Sequence, residues 1–206
     1  MNSRHKKVFF GKYFFVIFEE VYIPAEDTFL LARNLSVNKG ERVLDMGTGC
    51  GVLAVLVTEK TSKVVAVDVN PYAVACAKKN AELNGVTAKV EVRLGDLFDT
   101  FEDDEKFDLI LFNAPYLPIE RGEGKSWIEK AWAGGKTGRA VIDRFIDEVS
   151  KYIMMNGRIL LVQSSLSNVE KTLGRFSQRK LCATIVDEEK LDFEKIVLIK
   201  ARKQLF

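Results

Sequence analysis

The chain has 206 residues, 47% hydrophobic and 29% charged, which suits one globular domain with a sizeable core. Its 31 basic and 29 acidic residues leave a formal charge of +2, too weak a field to gather nucleic acid or an anionic membrane. Three cysteines at unrelated spacings and one histidine, His5, exclude a disulfide framework, a metal site and a histidine-dependent triad.

Basic clusters at the two ends, Arg4–Lys7 and Lys200–Lys203, read as solvated tails. The first apolar block, "VFFGKYFFVIFEEVYIP", reads as a hairpin turning at Gly11. Its run "YFFVIF" is too short for a signal or spanning segment, so a cytoplasmic location is expected. "PAEDTFLLARNL" opens with acids and Thr28 near a helix N-terminus and continues with helical periodicity. Strands and helices then alternate: strand "RVLDMG", helix "GVLAVLVTEK", strand "KVVAVDV", and a helix begun by Pro71 and closed by Gly85. Strands "KVEVRLGD" and "FDLILFN" follow, then the helical pattern "AVIDRFIDEVSKYIMM", strand "GRILLVQS" and helix "NVEKTLGRF". "CATIVDEEKLDFEKIVLIKARK" reads as two strands able to pair antiparallel. Helices between strands predict an α/β fold with a doubly wound, mostly parallel, seven-stranded sheet and an antiparallel last strand. Residues 1–206 are expected to form one domain, with 1–20 as a hairpin extension.

In such a sheet a ligand lies beyond the carboxyl ends of the strands, and three acids occur at those ends. Asp45 precedes Gly47, Gly49 and Gly51 at alternate positions; Asp68 follows 23 residues later; Asp96 ends the next strand. Glycines let backbone approach a ligand closely, a carboxylate at the position of Asp68 suits ribose hydroxyls, and Asp96 suits an exocyclic amine. A dinucleotide fingerprint would place glycines alone against a pyrophosphate. The carboxylate of Asp45 ahead of the glycines repels phosphate and suits an ammonium, which S-adenosylmethionine carries.

After the fourth strand stands "FNAPY", Phe112 to Tyr116. An amide nitrogen is a poor nucleophile because its lone pair is delocalised. If the Asn113 Oδ1 and the Ala114 carbonyl accept its two hydrogens, bonds that strengthen as charge develops on nitrogen favour methyl transfer. Pro115 stiffens the turn and Tyr116 can cover a flat amide or base.

The set Asp45–Gly51, Asp68, Asp96 and "NAPY" resembles the class I methyltransferases, in which an Asn/Asp/Ser-Pro-Pro-aromatic tetrapeptide marks enzymes acting on planar nitrogens. Here Ala114 replaces the family's first proline, and the backbone carbonyl survives that change. "VYIPAEDTFLL" and "WIEKAWAGGKTGRAVIDRFI" resemble the HemK-like release-factor glutamine methyltransferases. Only twenty residues precede Val21, which favours their eukaryotic–archaeal branch over the bacterial one with its added N-terminal domain.

The resemblance implies methylation of the glutamine in the Gly-Gly-Gln loop of a class 1 release factor. It also implies cofactor contacts at Thr28, Asp45, Gly47, Asp68, Asp96, Leu97 and Asn113, and a small zinc-binding activator subunit along a sheet edge. "KVEVRL", Lys89 to Leu94, is the candidate edge by analogy. Thr28 can equally cap its helix. Gly134, Gly135 and Gly138 form either a flexible shelf for a substrate loop or a plain helix start, and Trp127 and Trp132 either wall that shelf or join the core. The rival reading is an adenine or guanine amine methyltransferase, since "NAPY" serves both chemistries; a domain of near-neutral charge without added recognition structure disfavours it. A non-catalytic cofactor-binding subunit is a third reading.

Overall fold

The computed structural model describes residues 6–120 and 124–203; His5 lies outside them. A hairpin of β1 (Lys6–Phe10) and β2 (Tyr13–Ile17) turns at Gly11, as expected. Helix α1 (Glu26–Arg33) leads into β3 (Arg42–Met46), α2 (Val52–Val57), β4 (Lys63–Asp68), α3 (Pro71–Leu83), β5 (Val90–Leu94) and β6 (Phe107–Asn113). There follow α4 (Trp127–Lys130), α5 (Ala140–Val149), β7 (Ile153–Ser164), a 3-10 turn (Ser165–Ser167), α6 (Val169–Gln178), β8 (Leu181–Lys190) and β9 (Lys195–Lys203).

Seven strands form one sheet in the order β5-β4-β3-β6-β7-β9-β8, parallel from β5 to β7 and antiparallel across β9. The expected doubly wound architecture is present, with "KVEVRL" at the edge as β5. Central strands carry near-continuous apolar runs because both faces are covered: Val43, Leu44, Val64 to Val67 and Leu109 to Leu111 are fully buried. Right-handed crossovers put α2 and α3 on one face and α5 and α6 on the other. The winding reverses between β3 and β6, which opens a crevice at their carboxyl ends. No described helix is long and apolar enough to cross a membrane.

The hairpin is fastened by amide side chains. Asn80 and Asn84, one turn apart on α3, each pair with both the N–H and the carbonyl of a β2 residue, Val16 and Phe14 respectively, at 2.8–3.1 Å. The two asparagines supply the ladder partners a neighbouring strand would have provided.

Two expectations need correcting. The helix predicted to reach Met155 ends at Val149, and Ile153 already pairs with Phe107 in β7. The apolar spacing continues through Tyr152 and Ile153, so periodicity carries no stop signal. Tyr152 instead stacks on Phe98, 4.5 Å between ring centres, and its carbonyl accepts from the Phe107 N–H. The added β7 residues leave a bulge opposite Phe107–Leu109, with Met154 and Met155 facing outward. The C-terminal basic cluster is also not a tail: Lys200–Lys203 lies inside β9, between β7 and β8, with Ala201 fully buried.

Candidate active site

A cavity of about 690 Å³ occupies the crevice, within the usual range of small-molecule and cofactor sites. Its floor is the loop after β3. Gly47, Gly49 and Gly51 all have positive φ (64, 56 and 82°), the left-handed backbone that glycine adopts without steric cost. A Cβ at Gly49 would meet nothing within 4 Å, so this residue presents bare backbone to the cavity. Gly51 does a different job. A Cβ there would stand 3.0 Å from that of Ala77, and the cavity lining does not include it; it lets α2 start against α3.

Asp45 likewise lies beneath the loop and not on the cavity surface. Its Oδ2 accepts from the Thr48 hydroxyl (2.6 Å) and the Ala54 N–H (3.1 Å), tying the loop to the start of α2. Its Oδ1 is buried without a partner among the described residues. Burial pushes this carboxyl up to about 7, against those two bonds. Asp68 reaches the cavity. It accepts from the Gly49 N–H (2.8 Å) and the Asn70 N–H (2.9 Å), and burial raises its pKa against these bonds. Asp96 and Leu97 line the far end. The Asp96 Oδ2 is held by Arg144 at 2.9 Å, and Leu97 stands at φ 54°, a strained position for a branched side chain.

At the opposite end, Asn113 closes β6. Its Nδ2 donates to Thr28 Oγ1 at 3.3 Å, and the Thr28 hydroxyl donates to Asp27 Oδ1 at 3.2 Å. A carboxylate can only accept, so the threonine oxygen must receive from the amide nitrogen. The network therefore orients the amide and leaves Asn113 Oδ1 buried with no partner among the described residues. Thr28 is the third residue of α1; the N-cap is Ala25, without a side-chain cap bond, so capping is not its role.

Asp27 is the hub, and composition marks it only as an acid in the first turn of a helix. It is 6% exposed and accepts from the Tyr116 hydroxyl (3.2 Å), the Tyr22 hydroxyl (3.2 Å) and the Thr28 N–H (2.6 Å). Tyr116 lies 89 positions from Asp27, and Asn113 lies 85 from the Thr28 that links it to Asp27, beyond any local pattern. Burial, then Asp27, raises the pKa of both Tyr22 and Tyr116, with the Glu194 carboxylate adding to each. Both phenols stay neutral donors.

Chain comparisons meet this geometry directly. The model of the methyltransferase small domain matches residues 25–190. A Methanocaldococcus jannaschii protein, provisionally named a protein N5-glutamine methyltransferase, is 40% identical over 88% of this chain and 91% of its own. The chain belongs to the HemK-like methyltransferases of the eukaryotic–archaeal branch. Human methyltransferase HEMK2 is 32% identical over 90% of this chain and 91% of its own. Among solved structures, a chain of the E. cuniculi Mtq2–Trm112 complex, described as methylating the eRF1 termination factor, superposes with TM-score 0.67 and 25% identity. It covers 90% of this chain and 99% of its own.

In this methyltransferase the "WAGGKTG" segment is packing more than shelf. Gly134 is buried, donates to the Leu117 carbonyl (2.8 Å) and accepts from the Ala140 N–H (2.9 Å), which seats α5. A Cβ on Gly134 would lie 2.6 Å from Gly138 backbone, and one on Gly138 would collide with the Tyr116 carbonyl oxygen. Of the pair expected to meet substrate, only Gly135 lines the cavity. Trp127 and Trp132 line it too, half-buried and outside the core. Among the described residues no cluster of metal-ligating side chains occurs.

Proposed function

We propose that this chain methylates the side-chain amide nitrogen of a glutamine, with S-adenosylmethionine as donor. The proposed substrate is the Gly-Gly-Gln loop of a class 1 translation termination factor. The observation that carries this reading is the buried, unpartnered Oδ1 of Asn113, oriented by the Thr28–Asp27 relay. A buried acceptor left open costs about 1–3 kcal/mol, a cost that a bound N–H removes. The names of the relatives support glutamine as the source of that N–H.

The donor supplies an electrophilic methyl group. Residues that would hold it are Gly47 and Gly49 by backbone, Asp68 toward ribose hydroxyls, Asp96 and Leu97 toward the base, and Thr28 and Asn113 at the methionine end. Asp45 serves from below, by fixing the loop. Asn113 Oδ1 and the Ala114 carbonyl accept the two amide hydrogens of the substrate. As the nitrogen gains positive charge these bonds strengthen, so the acceptors stabilise the transition state more than the bound substrate. Asp27 holds the Tyr116 ring by its hydroxyl, which turns a mobile aromatic into a fixed wall for a flat amide, with Pro115 stiffening the turn between. The N–C bond would form as the donor's S–C bond breaks, and the N-protonated amide, a strong acid, would lose its extra proton to water, so no side-chain base is required.

We further read residues 1–206 as one methyltransferase unit, supported by a core continuous from Phe15 to Ala201, acting in the cytoplasm. A small activator subunit docks along β5, a reading supported by the E. cuniculi complex and by β5's place at the sheet edge. The test offers labelled S-adenosylmethionine with a purified release factor, duplex DNA and structured RNA, each with and without the activator. Label on the Gly-Gly-Gln glutamine is expected. Label confined to nucleic acid would make the planar nitrogen an adenine or guanine amine.

A further inference from the structure

The β8–β9 hairpin turns at the carboxyl end of the sheet: Ser164, which ends β7, pairs with Ile196, just past the Val162 that pairs with Asn113. The hairpin's tip is closed by the Leu191 N–H donating to the Glu194 carbonyl (2.9 Å), and the next residue's N–H, from Lys195, donates to Ser165 Oγ (3.0 Å) of the 3-10 turn. Two rigid pieces are thus bolted together at the carboxyl rim of the sheet. Three large apolar side chains stand out from this junction: Phe193 at 94% exposure, Leu166 at 55% and Leu191 at 39%. Apolar side chains grouped at a rim mark interaction sites more often than singly scattered ones. The neighbouring Glu194 has a buried Oε2 with no partner among the described residues. Its negative charge adds to the upward push on the two tyrosines that hold Asp27.

We infer that Phe193, Leu166 and Leu191 form a ledge on which the folded body of the substrate protein rests while its glutamine enters the cavity. The inference rests on the glutamine reading above and extends it from the side chain to the protein carrying it. Geometry supports that occupant over others. The cavity takes a cofactor and one side chain, so a substrate loop belonging to a folded protein must bring surface against the rim at the acceptor end, where the ledge stands. Farther from the rim, exposed Ile185 and Val186 lie on an edge strand whose next residues, Asp187 to Lys190, are charged, with Asp187 and Glu189 tied to Arg33 of α1, which guards that edge against pairing. The open Glu194 oxygen can accept a backbone N–H from a loop crossing from ledge to cavity.

The experiment compares Phe193→Ser and Leu166→Ser with wild type, in the activator complex, on two substrates: the whole release factor and a short peptide carrying its Gly-Gly-Gln loop. Loss of one exposed aromatic anchor is expected to raise KM for the whole factor ~10-fold or more with little change in kcat. Preference for the factor over the peptide falls accordingly. An unchanged factor-to-peptide preference in both variants overturns the ledge while leaving the glutamine reading intact. Wild type labelling neither substrate overturns the glutamine reading and the ledge with it. A variant that instead loses self-association or activator binding, with preference unchanged, assigns the patch to that other occupant and also overturns the inference.

Discussion

Replacing Asn113 by alanine removes one acceptor and little else. Among the described residues the side chain bonds only Thr28, at 3.3 Å, while its backbone stays paired with Val162 in the sheet. Loss of one such bond costs the fold about 0.5–1.5 kcal/mol, so the variant remains folded. Cofactor binding should weaken by less than ~10-fold, the equivalent of a single neutral hydrogen bond. Turnover should fall far more, because the acceptor acts mainly where charge develops. Removal of one preorganised group of this kind costs ~10²–10³ in kcat, or about 2.7–4 kcal/mol. Single-turnover transfer of label to the release factor reads the chemical step, and calorimetric titration with S-adenosylhomocysteine reads the cofactor site. Thr28→Val supplies an intermediate case, because the acceptor remains but its orienting relay is gone; a loss of ~10-fold is expected. An alanine variant that turns over near the wild-type rate would refute the amide-acceptor mechanism.

Three other outcomes are expected. Asp68→Ala should reduce affinity for S-adenosylhomocysteine, both by removing the carboxylate and by freeing the Gly49 and Asn70 N–H groups it holds; unaltered affinity would remove Asp68 from the ribose assignment. Gly138→Ala should lower Tm and activity together, since the new methyl meets the Tyr116 carbonyl and φ of 69° costs a further ~1–2 kcal/mol for an L side chain. For pH, burial pushes the Glu41 carboxyl up, but bonds from Arg158 and Asn38 outweigh it and hold the group at about 2, below its ordinary 4.5. A depressed acid stabilises the fold above the unfolded pKa, and this contribution, about 3 kcal/mol, is lost as pH falls from 4.5 toward 2. Glu41→Gln should therefore be destabilised at pH 7, with the gap to wild type closing across that window in chemical denaturation.

Strand and helix order was legible because each central strand is an unbroken apolar run and each helix carries its own punctuation, such as Pro71 and Gly85. The same local signals located Asp68, Asp96 and Asn113 at strand ends, where the cavity lies. The sequence is silent wherever a residue's task depends on distant neighbours. Helix α5 stops at Val149 because Tyr152 is claimed by Phe98 and by Phe107, and the apolar spacing simply runs on. The glycines "GTGCG" and "AGGKTG" look alike on paper. In space Gly49 faces the cavity, Gly51 admits α3, and Gly138 makes room for the Tyr116 carbonyl. Asp27 reads as a helix-dipole acid, yet its oxygens collect hydroxyls from Tyr22, Thr28 and Tyr116. Composition, spacing and motif thus determined the architecture, the cofactor class and the place of the Asn113 amide at a strand end, because these rest on period and short-range chemistry. Tertiary structure alone decided which way that amide points and which groups hold it, because a hydrogen bond's direction is set by its partner's valence and place, and that partner lies 85 residues away.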